Sequence, residues 1–184
     1  MLRRIVITGC SGSGKSTLAR QLGQRLGLAV VHLDVLFWCP GWKERDTADF
    51  RTRVTQAHAG NAWISEGNYI TKTFDLRLPR ADIFITLDRS RWLCLVRVVS
   101  RVIFRRARAD LAEGCPEHFD WELLVFIWNF EQVTRPRIEA ARLALCPDVP
   151  VIRLRSEREI AAFLAAQHEM RQSTEPVAPK VMNG

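Results

Sequence analysis

The nine residues Gly9-Cys10-Ser11-Gly12-Ser13-Gly14-Lys15-Ser16-Thr17 satisfy the pattern G-x-x-x-x-G-K-[ST] at every position. The chemistry that this spacing serves is the holding of a nucleotide's phosphates. Gly9, Gly12 and Gly14 let the backbone turn, with Ser11 and Ser13 between them, so that successive N–H groups face phosphate oxygens. A helix beginning near Lys15 adds the positive end of its dipole, and the Lys15 ammonium can bridge the β- and γ-phosphates. The Ser16 hydroxyl is then placed to hold Mg²⁺, with Thr17 carrying the cradle into the first helical turn. ATP and Mg²⁺ are the expected ligands.

Such a loop needs a strand in front of it and a helix behind. Arg4-Ile5-Val6-Ile7-Thr8 supplies a β-branched run, and Leu18, Leu22 and Leu26 recur at helical spacing. Gly27 caps that helix and residues 29–34 read as a second, buried strand, which implies a right-handed crossover in a parallel sheet. Asp34 stands at the end of this strand, where open α/β sheets place their ligands. Residues 35–60 carry Phe37, Trp38, Pro40-Gly41 and Trp42 ahead of a helix over 47–59, and read as an insert covering a substrate. Further strands are expected over 62–66, 82–88 and 149–154; Glu66 and Asp88 close two of them, and Gly67-Asn68-Tyr69 follows the first. Helices are expected over 91–109, rich in arginine, and over 119–145, with an aromatic stripe read as packing. Ser156 and Glu159 form a capping box for a last helix to about residue 170, and residues 171–184 read as a disordered tail.

A length of 184 residues suits one domain with a substantial core. Five scattered cysteines without C-x-x-C spacing indicate neither a disulfide framework nor a zinc site. Residues 2–8 read as a strand leading into the phosphate loop and not as a signal peptide, so a cytoplasmic location is expected. Arginines interrupt the apolar segment over 91–109 and argue against a membrane span. A net charge of +7 suits an anionic partner, whether a phosphate pocket or a nucleic acid.

The phosphate loop, His32-Leu33-Asp34, Phe37-Trp38 with Pro40-Gly41-Trp42, Glu66-Gly67-Asn68-Tyr69, Arg91-Trp92-Leu93 and Leu111-Ala112-Glu113-Gly114-Cys115-Pro116 together resemble one family. It is the adenylate-kinase-related P-loop kinases of the type labelled DNA topology modulation proteins. The likeness covers nearly everything before the tail. It implies a three-layer α/β/α P-loop NTPase fold with a five-stranded parallel sheet, forming a single kinase domain over residues 1–170. Within it, residues 35–60 would be the acceptor-binding insert and about 105–120 the lid. The implied activity is ATP-dependent transfer of the γ-phosphoryl group to a small acceptor, a nucleoside monophosphate or a hydroxylated metabolite.

Arg101 and Arg105 resemble the arginine pair by which such kinases stabilise the transferring phosphoryl group. Residues four apart share a helix face, so two guanidinium forks can converge there, and Arg108 extends that face toward the substrate. Asp34 resembles the aspartate with which kinases of the shikimate and gluconate type contact an acceptor hydroxyl; a carboxylate there can take the hydroxyl proton. Monophosphate acceptors need arginine clamps instead, for which Arg45, Arg51, Arg53, Arg77 and Arg80 are candidates. Glu66 stands where relatives carry an acid beside Mg²⁺, acting through water, with pairing to Lys15 as the other role. Asn68 and Tyr69 are expected to orient the acceptor, and Trp42 to stack on a planar one or pack the insert. Arg155 opens the loop where relatives hold adenine. The alternative function is a basic nucleic-acid-binding regulator using ATP as a switch, although no DNA-reading motif is present. The chain is expected to act as a monomer or homodimer.

Overall fold

The computed structural model describes residues 2–104, 112–116 and 118–172, with side chains as far as residue 167. Five strands form one parallel sheet: β1 (Arg4–Gly9), β2 (Val30–His32), β5 (Trp63–Glu66), β6 (Ile83–Leu87) and β7 (Val151–Leu154). Their spatial order is β2-β5-β1-β6-β7. The order places β1 in the centre, with both neighbours parallel to it, and each parallel connection carries helix across a face of the sheet.

Alternation along β1 assigns the two faces. Ile5 and Ile7 pack with Leu18, Ala19 and Leu22 of α1 (Lys15–Leu26) and with Leu164 of α8 (Glu157–Gln172). Val6 faces the other way, onto Phe74 of α4 (Ile70–Arg77), Cys94 and Val98 of α5 (Arg91–Phe104), Ile127 of α6 (Trp121–Asn129) and Ile138 of α7 (Arg135–Leu145). Three layers follow from one period-two strand. A smaller core of Leu33, Phe37, Phe50 and Val54 holds the segment between β2 and β5, which contains α2 (Leu33–Phe37), β3 (Trp38–Cys39), β4 (Lys43–Glu44) and α3 (Thr47–Ala57).

Several elements differ in extent from the sequence expectation. β2 stops at His32, so Asp34 lies in the first turn of α2 and not on the strand. Gly67 packs against Leu33 there, where a Cβ would stand 3.0 Å from the Leu33 Cβ. β7 starts only at Val151; Pro150 has no N–H to give the ladder, although its carbonyl accepts from Phe84 N–H at 2.8 Å. The turn at Pro40-Gly41-Trp42 belongs to a hairpin, with Trp38 paired to Glu44 and Cys39 to Lys43. The long helix over 119–145 is broken into α6 and α7 by a π-helical turn, Phe130–Thr134. The capping box expected at Ser156 is formed, its hydroxyl accepting from Glu159 N–H at 3.1 Å, whereas the Asp46 cap of α3 and the whole of α4 are features the pattern did not mark. Among the described residues no helix is long and apolar enough to cross a membrane. Arg105, Arg108, part of the expected lid, and residues 173–184 of the expected tail lie outside the described residues.

Candidate active site

Strand register sets the first distances. Glu66 lies opposite Ile7 on one side and His32 on the other, so the loop after β1 and the turn after β5 leave the sheet side by side. Gly67 N–H donates to the Ile7 carbonyl at 3.1 Å. The Asn68 side chain then joins the two: its Oδ1 accepts from Gly9 N–H at 3.1 Å and its Nδ2 donates to the Gly9 carbonyl at 3.0 Å. This amide anchors the first residue of the phosphate loop.

The loop's glycines are required by their neighbours. Gly9 has φ 146°, and a Cβ there would stand 2.7 Å from the Leu87 carbonyl of β6. Gly12 has φ 81°, and its Cβ would stand 2.5 Å from the Cys94 carbonyl of α5. Gly14, with φ 102°, is the N-cap of α1; no side chain caps that end and no acid occupies its first turn. A helix end of this kind presents N–H groups and its dipole to an anion, which fits a polyphosphate. Lys15 Nζ donates to the Cys10 carbonyl at 3.0 Å and stands 3.9 Å from Glu66 Oε1. Ser11 and Ser16 are half-buried beside it, and Thr17 is exposed. Ser13 is fully buried, and its hydroxyl has no hydrogen-bond partner among the described residues.

Beneath the loop the local field is positive. A hydrogen bond from Cys10, aided by the charges of Lys15, Arg97 and Arg89, brings the Cys94 thiol down to about 7. The same bond and then burial push the Cys10 thiol far up. Glu66 is buried, its Oε2 is 2.9 Å from His32 Nδ1, and its other oxygen faces Lys15. One carboxylate is thus held between an imidazole and the loop lysine.

Asp34 and Tyr69 form a second pair, after β2 and β5. The Tyr69 hydroxyl donates to Asp34 Oδ1 at 2.6 Å. Burial, and after it the charges of Asp34 and Glu66, push the Tyr69 phenol well above its usual range. Tyr69 takes φ 36° as the N-cap of α4, and its ring packs on Phe37 and Phe50. Trp42 lies farther out, where its Nε1–H donates to the Pro116 carbonyl at 3.0 Å. Gly41 N–H reaches the Gly114 carbonyl at 2.9 Å, so the β3–β4 hairpin docks on residues 112–116.

The arginines near the insert are committed to partners within the fold. Arg77 is fully buried and donates to Ser65 Oγ and to the carbonyls of Gly67 and Asn68, so it latches the turn that carries Asn68 and Tyr69. Burial lowers its pKa to about 9, against the opposing charges of Glu66 and Asp75. Arg51 forks onto Asp75 at 2.9 and 2.6 Å, Arg45 and Arg53 share Asp49, and Arg80 binds the His58 and Gly60 carbonyls.

On α5 the structure adds a residue that spacing passed over. Arg97 Nη1 donates to the Ser13 carbonyl at 3.4 Å, and its Nη2 is 2.6 Å from Glu157. Arg101 follows one turn later and donates to the Arg97 carbonyl at 3.2 Å. The four-residue spacing that marked Arg101 extends back to Arg97 as well as forward to Arg105; proximity to the loop distinguishes them, and only the fold supplies it. Arg155 stands beside Asp88, 3.6 Å away, and Asp88 also meets Arg135 at 2.8 Å.

Among the described residues no group of three or more His, Cys, Asp or Glu side chains forms a metal cage. Mg²⁺ at a phosphate loop takes most of its oxygens from phosphate and water, so one serine hydroxyl with a nearby carboxylate fits that ion.

No family model matches the chain, and no curated protein matches its sequence. Its fold is similar to those of solved structures that include the following three. Shikimate kinase from Acinetobacter baumannii in complex with shikimate has a TM-score of 0.58 and 16% identity, over 96% of this chain and 97% of that one. Shikimate kinase from Bacteroides thetaiotaomicron has a TM-score of 0.53 and 20% identity, over 94% and 99%. A gluconokinase from Sinorhizobium meliloti 1021 has a TM-score of 0.51 and 17% identity, over 94% and 98%. At these identities the likeness is one of fold.

Proposed function

We propose that the chain is an ATP- and Mg²⁺-dependent phosphotransferase that moves the γ-phosphoryl group to a hydroxyl of a small acceptor. The observation that carries this reading is the placement of two groups after the carboxyl ends of the neighbouring strands β1, β5 and β2. One is the uncapped α1 terminus with Lys15; the other is the Asp34–Tyr69 pair. Three solved structures named as small-molecule kinases share the fold, which supports the reaction class.

The residues would act as follows. The loop N–H groups, Lys15 and Arg97 hold the polyphosphate and offset its charge, with Arg101 and Arg105 joining them as the lid closes. Mg²⁺, held on Ser16 with Glu66 acting through water, supplies electrostatic stabilisation of the phosphates. Asp34, oriented by Tyr69, takes the acceptor's hydroxyl proton; the acceptor oxygen bonds to the γ-phosphorus as the bond to the bridging oxygen breaks, and ADP leaves. Arg155 sits at the loop proposed to hold the base.

A hydroxyl acceptor is favoured over a nucleoside monophosphate because Arg45, Arg51, Arg53, Arg77 and Arg80 all bind carboxylates or carbonyls of the fold itself. A phosphate clamp would compete with these contacts. ADP release from Mg-ATP, measured over a panel of nucleosides, hydroxylated metabolites and nucleoside monophosphates, tests the proposal. Stimulation by a hydroxyl compound, reduced ~10³-fold in Lys15→Ala and ~10²-fold in Asp34→Asn, is expected. Stimulation confined to monophosphates, or full activity in Lys15→Ala, would sink it.

A further inference from the structure

Helices α5 and α6 present an apolar ridge on the side of α5 away from the phosphate loop. Trp92 (63% exposed) and Val96 (65%) lie one turn apart on α5. Phe119 (62%) precedes α6, and Trp121 (68%), Val125 and Trp128 follow it at spacings of four and three. The two rows are continuous, because the Trp92 and Trp128 rings meet edge to face at 5.2 Å. The inner side of the same helix lies on the loop, through the Cys94 carbonyl at Gly12 and Arg97 at Ser13.

We propose that this ridge is the interface of a homodimer, in which two copies of the chain pack α5 and α6 about a two-fold axis. The six side chains expose on the order of 800 Å², which matches the roughly 800 Å² that each partner gives to a standard stable interface and exceeds the largest apolar patch of a typical monomer, about 300–600 Å². A two-fold axis sets the same patch against itself, and an apolar ridge is complementary to its own copy. Charge at the rim agrees with a second copy. Arg91, which opens α5, already pairs within the chain with Glu131 after α6 at 3.4 Å, and Glu122 stands in the first turn of α6, so the rim carries both signs. A nucleic acid would ask for a rim of one positive sign. The dimer would brace α5 from outside, and with it the arginines proposed to contact the phosphates, so the inference rests in part on that reading.

Light scattering of the full chain at micromolar concentrations tests it without recourse to activity. A mass of twice 21.1 kDa is expected for the native chain, and 21.1 kDa for Val96→Glu and for Trp121→Glu with an unchanged circular dichroism spectrum. Where a glutamate variant fails to fold, Trp92→Ser with Trp121→Ser is expected to raise the dimer dissociation constant at least tenfold. A native mass of 21.1 kDa, or a dimer that persists in the variants, overturns the proposal. So does a monomer that binds anionic phospholipid vesicles through Trp92 and Trp121, since the ridge would then face a lipid surface. Failure of the kinase assay with a confirmed dimer would leave the interface standing and remove only its link to catalysis.

Discussion

Tyr69 and Asp34 are 35 residues apart, and a 2.6 Å hydrogen bond joins them. The tyrosine hydroxyl donates, so it is not itself a base in this pair; it fixes one oxygen of the carboxylate proposed as the base. Tyr69→Phe is therefore expected to lower kcat about tenfold and Asp34→Asn about a hundredfold. Because one residue acts through the other, the double variant should be no slower than Asp34→Asn alone. Steady-state kinetics of the four proteins decide it; full additivity would place Tyr69 on the acceptor directly. At this scale the sequence yields residue types but not partners. Glu66 could be named as a strand-end acid, yet its bond to His32 depends on β2–β5 register. Asn68 could be expected to face the acceptor, yet its amide closes on Gly9, 59 residues away. Arg97 was one arginine among several until the packing of α5 on the loop singled it out.

Between residues and fold stand the elements, and here Arg77 is informative. It belongs to α4, is fully buried, and holds the turn after β5 by the Ser65 hydroxyl and two carbonyls. Arg77→Met keeps much of the volume, removes a desolvated charge and leaves three acceptors without their donor, with an expected cost of about 2–4 kcal/mol. Urea denaturation measures that cost. The released turn should also raise the acceptor KM more than it lowers ATP affinity, since Tyr69 follows that turn whereas Gly9 has other support from β6. Equal losses for both ligands would mean that the whole site had loosened. The central strands β1, β5 and β6 were legible because their apolar runs are buried on both faces, the edge strands β2 and β7 by their β-branched residues, and the loop because its chemistry dictates its spacing. The hairpin was not legible. Its strands are two residues long, and Gly41 and Trp42 take positive φ for a turn that docks on Gly114 and Pro116, which no local pattern encodes. The π-turn at Phe130–Thr134 was hidden for the opposite reason, since one inserted residue barely disturbs a helical stripe.

Charge acts on the whole molecule. Part of the positive charge on the described surface is neutralised in mixed pairs, such as Arg4 with Asp82, Arg51 with Asp75 and Arg142 with Glu139, within a net charge of +7. Duplex DNA is therefore expected to bind weakly at low salt and to be released by physiological salt, as a salt titration will read; tight binding that survives would restore the nucleic-acid alternative. A second whole-molecule property follows from His58, where the insert, sheet and α4 region converge. It is buried against Trp63, its Nδ1–H donates to the Val54 carbonyl at 2.7 Å, and its own carbonyl accepts from Arg80. Burial holds its pKa at about 4, below the ordinary 6.5. The neutral ring is native, so at pH above 6.5 neither state is protonated and no stability is lost. As the pH falls from 6.5 to 4 only the unfolded chain takes the proton, and stability declines by on the order of 3 kcal/mol before levelling. Carboxylates such as Asp75 and Glu139, lowered by their arginine partners, add their loss only below their ordinary values of 3.8 and 4.5. Above about pH 4.5 the decline is thus that of His58, and below it the carboxylates join. Urea midpoints at pH 7 and pH 5 should differ in the native chain by roughly 2 kcal/mol in unfolding free energy, and His58→Gln should remove that difference. A native chain equally stable at both values would mean that His58 carries a proton in the folded state and that its contact with Trp63 admits solvent.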